Sequence, residues 1–456
     1  MNTAKDTRLG TESIPKLMVQ LAVPSVIAQL INVLYNIVDR IYIGRIPEVG
    51  HLALTGVGVT FPILTLISAF SSFVGAGGAP LAAISLGKGE REKSEHILGN
   101  SFSMLLLFSV TLTLLFQLGK EPLLYMFGAS DNTITYAMDY ITIYLWGTVF
   151  VQIALGLNLF ITSQGQARTA MLSVLIGAVI NIVLDPIFIF GFHMGVKGAA
   201  YATIISQAVS AAWVLWFLCS KKSSIRIRTC YLKLSGKIVK NISMLGISPF
   251  IMSSTESAIS IVLNHGLQTY GGDLYVGSMT ILQSVMQLLS IPIGGFTQGV
   301  QPIISYNYGA QKFDRVKKTA KLLISSTFLL SFLFTLMTLF FPGAFGSLFT
   351  SQPELLELVK KVMPIYMFGM LIFGLQNGCQ ATFLGLGQAK ISIFIALLRK
   401  VFLLIPLAII LPRFFGVMGI YYSEPIADLI SATTAITLFL ISIRKILSTD
   451  ALKKLS

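Results

Sequence analysis

The sequence predicts an all-α integral membrane protein: twelve transmembrane helices in two pseudo-symmetric six-helix bundles, built as parallel repeats. Three observations carry this. Of 456 residues, 54% are hydrophobic and 11% charged, with a mean hydropathy of +0.78, where ordinary soluble domains carry about a quarter charged residues. Apolar windows of the ~20 residues that cross a bilayer can be placed along the whole chain. Landmark residues of the first half then recur in the second at a near-constant interval.

The elements follow in order. A polar N-terminal tail, 1–13, precedes an apolar run too long for a signal-peptide core of ~7–15 residues and without a small-residue cleavage site, so it reads as an uncleaved first span. The predicted spans are 14–43, 53–86, 97–118, 134–161, 169–190 and 196–219 in an N-lobe (14–219), then 243–266, 275–306, 322–341, 362–384, 391–411 and 416–442 in a C-lobe (243–442). A basic linker, 220–242, joins the lobes, and a tail, 443–456, ends the chain.

Charge tests this count, because Lys and Arg accumulate in cytoplasmic segments. With both termini inside, and Lys16 and Lys197 at span ends counted with the adjoining tail and loop, the inner segments hold 24 basic residues, the outer loops six and the spans three. The formal net of +14 divides into +17 inside, −1 outside and −2 within the membrane. In a soluble chain such an excess would point to nucleic acid; here it reports orientation, and no nucleic-acid partner is expected. The linker alone carries seven basic residues between Lys221 and Lys240 and no acid, which also suits attraction to anionic lipid.

The repeat is explicit. Gly77-Gly78-Ala79-Pro80 answers Gly299-Val300-Gln301-Pro302, Gly87 answers Gly309, and Gly165-Gln166-Ala167-Arg168 answers Gly387-Gln388-Ala389-Lys390, all 222 residues apart. Gly195 to Tyr201 resembles Gly416 to Tyr422 at 221, and Pro24 matches Pro249 at 225. Six spans per repeat is even, so the repeats are parallel, as in transporters that bind substrate between or within two bundles. The matched Gly and Pro residues of spans 2 and 8 can mark bends or close helix packing.

Several functions are disfavoured. The three cysteines contain no C-x-x-C pair, and no phosphate loop, H-E-x-x-H or G-x-S-x-G motif is present. The chain is not expected to be an enzyme, and coupling to an ion gradient is the simplest remaining drive.

Away from the span ends, where Lys16, Asp139 and Lys197 stand, eight charged residues lie within spans: Asp39, Arg40, Asp185, Glu256, Arg399, Lys400, Glu424 and Asp428. Each costs roughly 2.5–3.5 kcal/mol to insert and needs a reason. Asn181 and Asp185 share a helix face at i and i+4, as do Tyr35 and Asp39. Two carboxylates in one low-dielectric pocket can take up a proton or hold a small cation. Alternatively Asp39 caps its helix or pairs with Arg40, and Asp185 marks a break before Pro186. In the C-lobe, Glu256, Arg399, Glu424 and Asp428 form a polar cluster that is either a static ion-pair set or one in which Glu256 exchanges between Arg399 and a coupling ion.

These residues resemble the MATE (multidrug and toxic compound extrusion) family of antiporters, above all its bacterial multidrug branch. The resemblance rests on Pro24 with Asn36-Ile37-Val38-Asp39, on Gly165-Gln166-Ala167, on Asn181-Ile182-Val183-Leu184-Asp185-Pro186, and on Gly195-Val196-Lys197-Gly198-Ala199-Ala200. It implies a V-shaped pair of bundles in the cell membrane that exports amphipathic, often cationic, drugs in exchange for H⁺ or Na⁺, with no other cofactor. By position, Asp39, Asn181, Asp185 and Thr203 would form the cation or proton network, the first three able to hold Na⁺. Tyr35, Tyr140 and Asn158 would line the drug path. Glu256 sits where one branch keeps an acidic cation ligand, but the Asp paired with it there is Asn377 in this chain, which shifts the expected coupling site to the N-lobe. The expected partners are small-molecule drugs and membrane lipids, and the chain is expected to be monomeric. Competing readings are a lipid-linked precursor flippase of related fold, marked by a strongly cationic central groove, and an intramembrane enzyme or sensor.

Overall fold

The computed structural model describes residues 8–447; residues 1–7 and 448–456, with Lys5, Lys453 and Lys454 of the predicted tails, lie outside the described residues. The described chain is almost entirely helical. Its membrane helices are α1 (Ile14–Gly44), α2 (Phe61–Gly87), α3 (Arg91–Met126), α4 (Ile134–Trp146 and Thr148–Ser163, bent by 61°), α5 (Ala167–Gly191) and α6 (Val196–Cys219). The second half supplies α7 (Gly236–Tyr270), α8 (Asp273–Gly309), α9 (Phe313–Phe340), α10 (Pro353–Gly385), α11 (Ala389–Phe415) and α12 (Met418–Ile446). Counting the bent pair once gives twelve spans, as the hydropathy predicts.

Boundaries differ where backbone chemistry intervenes. The predicted second span begins at 53, but a separate short helix, Gly50–Val59, precedes α2. Pro62 lies in the first turn of α2, where its missing N–H costs nothing. Thr60, whose hydroxyl donates to the Val57 carbonyl at 2.6 Å, closes the short helix. Pro186 does not break α5: the chain continues as a wide π-turn over Ile187–Gly191. A second π segment, Leu398–Leu404, interrupts α11 and carries Arg399 and Lys400.

The buried apolar clusters show how the halves meet. One face of the molecule carries the basic segments 88–95, 220–241 and 312–321. Near this basic face the clusters mix both halves: Leu17 and Leu21 of α1 pack with Val300, Ile303 and Ile304 of α8, and Ile242 of α7 packs with Val74 and Ala82 of α2. Towards the opposite face, each cluster draws on one half only. The halves are therefore joined on the basic side and separate on the other.

Small residues make the joint possible. A Cβ at Gly87 would stand 2.0 Å from the Tyr306 carbonyl oxygen, and one at Gly309 would stand 2.0 Å from the Ile84 oxygen. Tyr306 and Ile84 are themselves 222 residues apart, so the two contacts are one contact repeated under the internal symmetry. Gly77 against Ile242 and Gly299 against Leu21 repeat the arrangement with α7 and α1. The matched glycines thus serve close packing between repeats.

The linker is a docked structure. The Gln164 carbonyl oxygen accepts from the Ser223 hydroxyl (2.9 Å) and the Ser224 and Ile225 amides (2.7 and 3.3 Å). Asn100 of α3 donates to the Tyr231 and Lys233 carbonyls and accepts from the Ser235 amide at 2.7 Å. Glu95, 2% exposed, pairs with Arg228 at 2.5 Å. Residues 223–235 are accordingly a surface of the first half.

Gln164→Ala leaves the Ser224 and Ile225 amides without an acceptor, at about 1–3 kcal/mol for each buried group. Trypsin should then cleave at Arg226 and Arg228 at least ~10-fold faster in detergent-solubilised protein; an unchanged cleavage rate would show that these bonds do not hold the linker.

Candidate functional site

In the first half, α1 and α5 bring two acids together in the part remote from the basic face. Asp39 is 8% exposed and Asp185 fully buried, and their carboxyl groups face each other within hydrogen-bonding reach. Asn181, one turn before Asp185, donates its amide to Asp185 Oδ1 (3.3 Å) and to Thr203 Oγ1 of α6 (3.5 Å). The Thr203 hydroxyl donates in turn to the Ala199 carbonyl (2.9 Å). Asp39 Oδ1, Asp185 Oδ2 and Asn181 Oδ1 are all buried with no donor. Arg40 does not supply one: its guanidinium lies over the Phe61 ring, 4.8 Å from the centroid. Three buried acceptor oxygens without a donor, two of them on carboxyl groups that face each other, form an arrangement that a proton or a small cation would complete.

The aromatic residues expected on the drug path surround this network. Tyr140, buried and stacked on Tyr144 with centroids 5.9 Å apart, lies within hydrogen-bonding reach of Thr203. Tyr35 lies within reach of Gln207 and lines a cleft of about 30 Å³ inside the bundle. Asn158 donates to the Ala170 carbonyl of α5 at 3.2 Å, a helix-to-helix tie.

The second half gathers its charges differently. Arg399 donates through Nε to Asp428 Oδ1 (2.7 Å) and through a terminal nitrogen to Glu424 Oε1 (2.9 Å), and all three side chains are at most 5% exposed. Glu256 pairs with Lys400 at 2.6 Å, not with Arg399; Lys400 is buried while Glu256 is 57% exposed. Arg399 and Lys400, consecutive residues within the π segment, point to different sides of α11 and so meet acids on two different helices, α12 and α7. Asn377 donates to the Phe373 carbonyl of its own helix (3.2 Å) and borders the central cavity described next, away from these pairs. Thr203 and Glu424 are 221 residues apart, so the two polar clusters occupy equivalent places in the repeats. In the second, each of the three acids is paired with a cation, Arg399 or Lys400; in the first, neither acid is.

Between the halves lies a cavity of about 390 Å³, within the range of small-molecule sites. Its polar wall comprises the amides Gln29, Gln298, Gln301, Asn377 and Gln380 with several serines and threonines, and among the described residues no ionisable side chain lines it. Gln29 of α1 donates to Gln298 of α8 at 2.9 Å, bridging the halves. Tyr35, Tyr140 and Asn158 are not among its lining residues. Reasoning from embedded charge could not find this wall; the available signal was the cost of burying amides in lipid-facing sequence, which applies to them too. Glu256 stands one helical turn beyond Met252 and Ser253, which line the cavity.

Arg399→Ala would strand two buried carboxylates and should cost about 3–5 kcal/mol, read as a lowered thermal unfolding midpoint in detergent. Arg413→Ala, at an exposed site, should change stability by under ~0.5 kcal/mol. Equal effects of the two would show that the buried cluster is not holding the second half together.

Comparison with known proteins agrees with this architecture. The MatE family model matches residues 24–187 and 249–410. The multidrug export protein MepA of Staphylococcus haemolyticus is 28% identical over 443 residues, 96% of each chain, and MepA of Staphylococcus aureus strain MSSA476 is 27% identical over 92% of each. Among solved structures, a MATE protein in its bent conformation superposes with a TM-score of 0.90 at 23% identity, covering 100% of this chain and 99% of that one. An outward-facing multidrug resistance MATE transporter of the MOP superfamily gives 0.88 at 24% identity, with both chains fully covered. The match to both repeats, over well more than half the sequence, places the chain in the MatE family of transporters.

Proposed function

We propose that the protein is a multidrug antiporter of the cell membrane, exporting amphipathic, often cationic, compounds in exchange for H⁺ or Na⁺ by alternating access. The observation that carries this is the neutral inter-half cavity closed on the basic face by glycine contacts and flanked, inside the first half, by acceptor oxygens that lack a donor. The basic face is taken as cytoplasmic with both termini on that side, as the positive-inside rule requires. The lobes 14–219 and 243–442 are the rocking bodies, acting within one monomer. Drug occupies the central cavity, and the coupling ion binds Asp39 and Asp185 with Asn181 and Thr203 in support. Export is driven because the ion binds the two conformations with different affinity, the sole legitimate source of coupling. The Arg399–Glu424–Asp428 set, in which one cation pairs with both acids, stays structural in this scheme. The flippase reading would need a strongly cationic central groove, and the cavity wall has no Lys or Arg.

The test is uptake of a fluorescent organic cation into proteoliposomes under pH and Na⁺ gradients imposed separately. Uptake should follow one of the two, and Asp39→Asn should lower it at least ~100-fold while the protein remains folded and still binds the dye. Full transport by Asp39→Asn would refute the coupling assignment, and gradient-independent accumulation would refute antiport.

Gly87→Ala and Gly309→Ala place a methyl carbon against a carbonyl oxygen and should each prevent closure of the basic face. In a cysteine-free background, Ser305→Cys, which borders the cavity, should then react at least ~10-fold faster with an impermeant thiol reagent added on that side. No acceleration in either variant would show that these contacts are not the gate.

A further inference from the structure

A second cavity, unrelated to the transport path, opens on the basic face. It is a groove of about 970 Å³ between the start of α3 and the stretch that ends the linker and begins α7. Arg91, Lys93, Lys233 and Lys237 line it against Glu90 and Glu92, and Arg226 and Arg228 lie in the linker segment just before Cys230 on its wall. The acids are already engaged. Glu90 pairs with Lys93 at 3.5 Å, Glu92 accepts from the Tyr231 hydroxyl at 3.2 Å, and the buried Glu95 behind the wall is shared by Arg91 and Arg228. The exposed Lys233 has no acidic partner among the described residues.

The groove is also rigid. Asn100 clamps the Tyr231 and Lys233 carbonyls and the Ser235 amide, and His96 stacks on Tyr231 with ring centroids 3.8 Å apart. Leu234, 44% exposed, stands on the wall beside Ile238 of α7. A fixed array of cations with satisfied acids, beside exposed apolar surface and at the ends of two membrane helices, matches an anionic phospholipid: phosphate among the ammonium and guanidinium groups, acyl chain along Leu234. Loose attraction of a flexible basic loop would need none of this scaffolding.

We propose that this groove is a specific binding site for the headgroup of an anionic phospholipid, using Arg91, Lys233 and Lys237 as its phosphate ligands. The experiment uses the full chain in mild detergent, titrated with short-chain phosphatidylglycerol or phosphatidylcholine and read by native mass spectrometry. Phosphatidylglycerol should bind at least ~10-fold more tightly, and the double variant Lys233→Gln/Lys237→Gln should lose that preference. Lys221→Gln/Lys222→Gln, which removes equal charge from the linker outside the groove, should keep it. Equal affinity for the two lipids overturns the site. So does equal loss in both double variants, which would reduce the effect to charge alone. Displacement of the lipid by millimolar inorganic phosphate also overturns it, by assigning the groove to a soluble anion.

Discussion

Two membrane helices can touch backbone to backbone only where neither presents a side chain at the crossing, and this constraint organises the molecule. Lipid offers no hydrophobic force to press helices together, so the contact between halves depends on van der Waals fit together with hydrogen bonds such as Gln29 to Gln298. Gly87 on Tyr306 and Gly309 on Ile84 supply that fit twice under one pseudo-twofold relation. The central cavity lies beside this seam: α1, α2, α7 and α8 meet tightly at one end and diverge beyond Gln29 and Gln298.

The second constraint is the cost of charge away from water. The chain answers it in two ways at equivalent positions of its repeats. In the second half, a guanidinium lies between two carboxylates and pairs with both, leaving one buried acceptor, Asp428 Oδ2, without a donor. In the first half the equivalent region has two carboxylates, an amide and a hydroxyl, and no cation. Pseudo-symmetry in the backbone has been kept while the chemistry has diverged, and in the proposed cycle the half whose acids have no paired cation is the one that exchanges an ion.

Much of this was legible in the sequence. Hydropathy, alternating basic loops and the 222-residue interval prescribe twelve helices in two matched sets, because membrane insertion leaves few alternatives. The pairing of Asn181 with Asp185 follows from helical spacing, and the meeting of Asp185 with Asp39 follows from the family likeness. The partner of Glu256 was not legible: Arg399 and Lys400 are adjacent in sequence, and which of them faces α7 depends on how α11 is turned against its neighbours. Nor was the docked linker. Seven cations without an acid suggest a solvated loop, whereas its anchors, Gln164, Asn100 and Glu95, lie far away in sequence. The amide wall of the cavity was missed because Gln and Asn carry no charge to attract notice.

The docked linker bears on mechanics. Residues 223–235 belong to the surface of the first half, so the only slack between the halves lies around Ser235 and Gly236, where α7 begins. A tether this short, placed on the closed side near the α2–α7 seam, leaves the far side free to spread at no cost in chain extension. When the basic side itself opens, the same tether acts as the leather of a hinge: the α2–α7 edge is held, and the α1–α8 edge must travel further. The proposed cycle is then lopsided, with a fulcrum set by connectivity in a scaffold whose helices are otherwise arranged by twofold symmetry.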